Sequence, residues 1–177
     1  MKRFVALALS LLFSACNCGR DPVPLCPDGD DLEVPTEQWV HVPEGSAIVY
    51  QHNPPASGPH YPVWAKLGAY TQTVPRGYWM HNVEHGAVVF LHRPDAPEER
   101  IQLLRETFAK LPNDPFCGTP RAILTPDPEM EVEVAIVAAN HVLRGDCLDE
   151  AAILAFVEAR RGKGPENVCL DGNYAPP

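Results

Sequence analysis

The chain has 177 residues, 45% of them hydrophobic, and a formal net charge of −9. That length and apolar content suit one domain with a buried core. The acidic balance, with no basic stripe, argues against a nucleic-acid-binding role, because phosphates need cationic partners.

Lys2 and Arg3 precede a short apolar run from Phe4 to Phe13, and Ser14-Ala15-Cys16 follow. A basic start, an apolar stretch too short to span a bilayer and small residues before a cut site make a secretory signal. Small residues directly before a cysteine resemble a bacterial lipoprotein signal. The expectation is therefore that residues 1–15 are removed and that Cys16 is lipidated and tethers the chain to the bacterial envelope. An ordinary secretory signal, with Cys16 incidental, is the alternative. Asn17 stands where an aspartate would retain a lipoprotein in the inner membrane, which favours the outer membrane. No protein partner is indicated.

Residues 16–38 are rich in Pro, Asp and Gly and lack apolar periodicity, so they read as a flexible tether. The acidic Asp28-Gly29-Asp30-Asp31 reads as a solvated turn, since the rest of a calcium-loop pattern is missing. Residues 39–177 form the single folded domain.

Six cysteines suit an oxidising compartment. With Cys16 lipidated, Cys18, Cys26, Cys117, Cys147 and Cys169 remain, enough for two disulfides and one spare thiol. Pairing Cys117 with Cys147 and Cys26 with Cys169, with Cys18 left on the tether, is the preferred arrangement. No pair is spaced Cys-x-x-Cys, which argues against thiol-redox chemistry.

Within the domain, Gln38–Val42 and Ala47–Tyr50 read as two strands separated by a Pro-Glu-Gly-Ser turn. Pro54-Pro55 then stops regular structure, and the chain to Gly77 reads as one long Pro/Gly-rich loop. Such a loop in a compact domain leans toward function. The segment His81–His85 reads as a loop entering a strand that runs to His92. Glu98 opens an amphipathic helix carrying Ile101, Leu104, Phe108 and Leu111. Ala122–Leu124 and Val132–Ala139 read as a hairpin around Pro126, Asp127 and Pro128. A last helix follows, with Asp149 as N-cap and Ile153, Leu154, Phe156 and Val157 on its apolar face. The fold class is α+β, a small and mostly antiparallel sheet with two helices on one face.

The chemistry concentrates in His81-Asn82-Val83-Glu84-His85 and in the upstream His52-Asn53-Pro54-Pro55-Ala56-Ser57-Gly58-Pro59-His60. The first matches the inverted zinc-protease signature His-x-x-Glu-His. That signature requires a helix, and the loop reading of this segment, with Gly86 next, argues against it. A loop can still bring His60, His81 and His85 onto one ion, since imidazole suits copper and zinc. Met80 is a soft candidate ligand, although on extended backbone it would face away from His81. His52 is a further candidate. Glu84 could be a ligand, a partner fixing an imidazole tautomer, or a general base. Against this stands a purely structural histidine network satisfied by backbone carbonyls. His41 and His92 lie in strand-like stretches and read as packed or exposed. His141 is a weaker ligand candidate, and Ser57 reads as an ordinary loop hydrogen-bonding residue.

Pro54-Pro55-Ala56-Ser57-Gly58-Pro59-His60-Tyr61-Pro62, Gly68-Ala69-Tyr70, His81-Asn82-Val83-Glu84-His85-Gly86-Ala87-Val88-Val89 and Gly164-Pro165-Glu166 resemble the DUF3105 family, extracytoplasmic and often membrane-tethered bacterial proteins. The resemblance runs from about His41 to Glu166 and implies one extracytoplasmic domain with no established activity. The tryptophan-glycine pair typical of the family near Asn140-His141 is missing here, which leaves the role of His141 open. The functional expectation is an envelope lipoprotein holding one copper or zinc ion, copper preferred, for metal handling or sequestration. A structural or partner-binding domain is the alternative, and a metal-dependent hydrolase with Glu84 as base is a third reading.

Overall fold

The computed structural model describes residues 29–177. The signal, Cys16, Cys18, Cys26 and most of the tether lie outside the described residues. The elements are β1 (Asp30–Glu33), β2 (Gly68–Ala69), α1 (Arg76–Glu84), β3 (Val88–His92), α2 (Glu98–Ala109), β4 (Ala122–Pro126), β5 (Val134–Ala138), β6 (His141–Gly145) and α3 (Glu150–Arg160). The strands form one six-stranded sheet in the order β1-β6-β5-β3-β4-β2. The β1–β6, β6–β5 and β5–β3 pairs are antiparallel, while β4 runs parallel to both β3 and β2. This is the expected α+β domain, with a mostly antiparallel sheet.

The central strands are buried along their whole length because both sheet faces are covered. Successive side chains point to opposite faces. Val88, Phe90, Leu124 and Ile136 therefore meet α2 and α3 in one core, where Phe90 and Phe108 pack edge to face at 5.4 Å. Val89, Leu91, Ile123, Ala135 and Val137 form a second core with Trp79, Met80 and Val83 of α1 and with Ala56, Ala65 and Val74 of the long loop. Two helices share one face, as expected, and α1 with the Pro/Gly-rich loop seals the other. In α3, Asp149 caps the helix by accepting from the Ala152 amide at 2.6 Å.

Several sequence expectations are corrected. His81–His85 is not a loop: α1 runs to Glu84, and β3 starts only at Val88. Gly86, at φ +87°, is the glycine that ends the helix. Its amide donates to Val83 O at 2.9 Å and that of Ala87 to Asn82 O at 2.8 Å, the paired closure of a Schellman motif, which needs a left-handed residue. Met80 does pack rather than face His81, but as a buried residue of this helix. Of the two expected early strands, only an isolated bridge between His41 and His60 remains. The expected hairpin of β4 and β5 does not form, since β3 lies between them. The hairpin is β5–β6, with Ala138 opposite His141. Asp30–Glu33, read as tether, pairs with β6 as an edge strand.

The disulfide pairing also differs. Cys117 bonds Cys169, and Cys147 is disulfide-bonded as well. Cys117 precedes β4 and Cys147 follows β6, three strand positions apart in the sheet. Strand spacing alone is then about 14 Å, beyond the reach of a disulfide, and since β4 and β6 run parallel the two cysteines also lie toward opposite ends of the sheet. The Cys117–Cys169 link joins residues 52 apart in sequence, which in the chain-entropy picture stabilises the fold by about 4 kcal/mol.

Candidate metal centre

Three segments meet beneath the end of α1. The amide of His60 donates to Val40 O at 3.0 Å, and that of Val42 to His60 O at 2.8 Å. These two bonds hold residues 40–42 alongside His60 and set the His41 ring 4.9 Å from it. Next, the Tyr61 amide donates to Gly77 O at 2.9 Å. At Gly77 a Cβ would come within 2.5 Å of the Tyr61 ring, so only glycine lets the loop lie this close to the helix. Finally, Asn82 clamps the loop: its side chain accepts from the Ala65 amide at 3.0 Å and donates to Ala65 O at 2.8 Å. Asn82 and Ala65 are both buried.

These supports bring His41, His60, His81 and Glu84 together, each offering a ligand atom, all within 4.8 Å of one another. The ring centroids of His41, His60 and His81 are 4.8–4.9 Å apart. His60, His81 and Glu84 are buried and His41 is exposed, so the cluster opens to solvent on one side. His60 Nδ1 lies 2.9 Å from Gly58 O, and His81 Nδ1 lies 2.6 Å from Tyr61 O. A carbonyl only accepts, so both Nδ1 atoms carry the hydrogen, and in the neutral rings both Nε2 atoms present lone pairs. They face the same Glu84 oxygen, Oε2, at 3.0 Å from His60 and 4.0 Å from His81. Although so close to that carboxylate, His60 Nε2 is buried without a satisfactory hydrogen bond. Burial holds the His81 imidazole down to about 4, with the neighbouring imidazoles adding to the shift and the Tyr61 carbonyl opposing it.

His85 belongs to a neighbouring set. Its Nε2 lies 3.4 Å from Glu166 Oε2, and His85, Glu84 and Glu166 bring ligand atoms within 4.8 Å of one another. Burial lowers the affinity of His85 for a proton, opposed by the Glu166 carboxylate. Trp64 packs its indole against both His81 and His85, at 4.8 and 4.9 Å.

The expected trio is thus divided, with His60 and His81 in one set and His85 in the other. His41, read as a strand residue, joins the first set, and Glu84 belongs to both. Met80 lies in the apolar core and His52 borders β1 and β6. His92 and His141 pair with Arg93 O and Arg160. Ser57 accepts from the Glu37 amide, an ordinary loop role. The helical condition of the inverted protease signature is met after all, but α1 stops at Glu84 and His85 caps it.

Neither a curated protein nor a solved structure matches the chain. A family model does, across residues 33–171, a span holding β2 to β6, all three helices and both histidine sets. The chain belongs to that family, DUF3105, proteins of unknown function.

Proposed function

We propose that the domain holds a divalent transition ion between His41, His60, His81 and Glu84, for metal handling at the bacterial envelope. One observation carries the reading: two imidazoles, each fixed through Nδ1 by a backbone carbonyl, turn their Nε2 lone pairs on one carboxylate oxygen. Carbonyl-fixed imidazoles are the usual outer support of metal-binding histidines. Tetrahedral bonds of about 2.0–2.1 Å set donors roughly 3.3 Å apart, and the observed 3.0 and 4.0 Å bracket that separation. With Nδ1 tied to Gly58 O, a neutral His60 turns its Nε2 lone pair on the Glu84 carboxylate at 3.0 Å, a contact that a cation between the two would satisfy.

The donor set is three imidazoles and one carboxylate, with the Met80 thioether packed in the core. That set suits copper(II) or zinc(II) and offers copper(I) no soft ligand. Placing Glu84 as a ligand favours holding an ion over hydrolysis, which would need that carboxylate free as a base. The exposed His41 gives the ion a route to solvent. The proposed lipid tether at Cys16 would keep this activity at the membrane surface.

The test is metal content and calorimetric titration of the purified protein with copper(II) and zinc(II), compared with His60→Ala and His81→Ala. Stoichiometric binding lost in both variants supports the site. Full occupancy surviving in either one overturns it.

A further inference from the structure

The segment Gly164-Pro165-Glu166 plays no part in the first ion position, yet it is pinned to the end of α1. Gly162 donates to Gly86 O at 2.8 Å, and Glu166 donates to Glu84 O at 3.0 Å. At Gly164 a Cβ would stand 2.2 Å from Glu84 O and 2.5 Å from Gly86 N, so the backbones touch with no room for a side chain. This close approach places the Glu166 carboxylate beside His85 Nε2. His85 is itself buried and held from behind, its backbone carbonyl accepting from Arg121.

We infer a second cation position formed by His85, Glu166 and Glu84, with the Glu84 carboxylate bridging it to the first, so that the domain holds a two-ion centre. The inference rests on the first position being a metal site. Glu84 supplies ligand atoms to both sets, and the His81 and His85 rings, one from each set, have centroids 4.5 Å apart. Ions joined by a bridging carboxylate sit about 3.5–4 Å apart, a spacing that adjacent rings of this kind allow. The second position has fewer protein ligands, and Glu166 is largely exposed, its side chain 59% accessible. It should therefore be the weaker of the two, filled last and emptied first. Its ligand class is an oxygen- and imidazole-favouring divalent ion such as zinc(II), completed by water.

The test is calorimetric titration of the whole chain with zinc(II), with bound metal counted after gel filtration. Two ions of unequal affinity are expected in the native protein. Glu166→Gln, an exposed change that spares the core, should weaken the second ion by more than the roughly 10–100-fold that loss of an outer partner costs, and leave the first unchanged. His85→Ala should behave alike. One ion in the native protein, absent in His60→Ala, overturns the second position and leaves the first standing. Two ions retained at native affinity in Glu166→Gln overturn the ligand assignment. No ion at all removes both readings.

Discussion

Glu84 Oε2 lies 3.0 Å from His60 Nε2, two buried groups that each present a lone pair when His60 is neutral and tied to Gly58 O. A cation between them would satisfy both. Glu84→Gln tests this. The glutamine amide can donate to the Nε2 lone pair, so the metal-free variant should be as stable as the native chain or more so, while metal affinity falls at least tenfold. A metal-free loss of about 3–5 kcal/mol, the usual cost of breaking a buried ion pair, would contradict it. Denaturant unfolding in chelator, beside a metal titration, measures both.

Ion binding should raise thermal stability. At a free concentration 100 times its dissociation constant, a ligand specific for the native state adds about 2.7 kcal/mol. For a domain of this size that is a rise in Tm of roughly 5–10 °C. Scanning calorimetry with zinc(II) and then with excess chelator should show the rise and its reversal. A His60→Ala/His81→Ala double variant should lose most of the rise.

Asn82→Ala should leave both polar groups of the buried Ala65 peptide unpaired. At about 1–3 kcal/mol for each orphaned group, the loss is roughly 2–6 kcal/mol. Hydrogen exchange at the Ala65 amide, which now bonds Asn82 Oδ1, should accelerate more than exchange in β3. Equal acceleration throughout would mean that Asn82 supports the fold generally rather than anchoring the loop.

Acid should destabilise the metal-free protein in a defined window. Burial lowers His81 from 6.5 to about 4 and also lowers His85 and His92. As pH falls through 6.5 the unfolded chain takes up protons that the native state refuses, so stability drops progressively toward pH 4. The His81 contribution alone is on the order of 3 kcal/mol. Bound metal should steepen the loss, because protons compete for the same nitrogens. Unfolding free energies at half-unit pH steps, with and without zinc(II), would show it, and a curve flat from pH 7 to 4 would contradict it.

The parts of the fold legible in the sequence are those whose burial is one-sided or wholly apolar. The helices α2 and α3 show apolar residues at helical spacing, and β3 is a plain apolar run. The helix α1 escapes such reading because seven of its nine residues are buried, Asn82, Glu84 and His81 among them. A helix that buries polar side chains in a site has no apolar stripe to detect. The available signal was Gly86 itself, a helix-ending glycine that also fits a loop. The hairpin β5–β6 was hidden because its turn, Ala139-Asn140, puts Asn140 at φ +61° without the usual glycine after it.

At the centre, His60, His81 and Glu84 stand out by spacing and loop rigidity. His41 does not, since its position depends on two backbone hydrogen bonds to His60 that no local pattern announces. His85, one turn beyond His81, faces Glu166 instead, a residue that the fold brings in from the C-terminal segment and that no local pattern announces.

The fastening of the C-terminal tail sets an order of events. Tyr174 N and Asn173 N both donate to Trp64 O, Lys66 N donates to Tyr174 O, and Cys169 is bonded to Cys117. Because a chain emerges from its N-terminus, His41, His60 and His81 arrive long before Glu166 and the strap behind Trp64. A chain synthesised only as far as α1 therefore has all three imidazoles but lacks the strap that closes over Trp64. The strap is thus the last of the centre's surroundings to be set in place, and the Cys117–Cys169 link ties it to the segment before β4 once both cysteines are present.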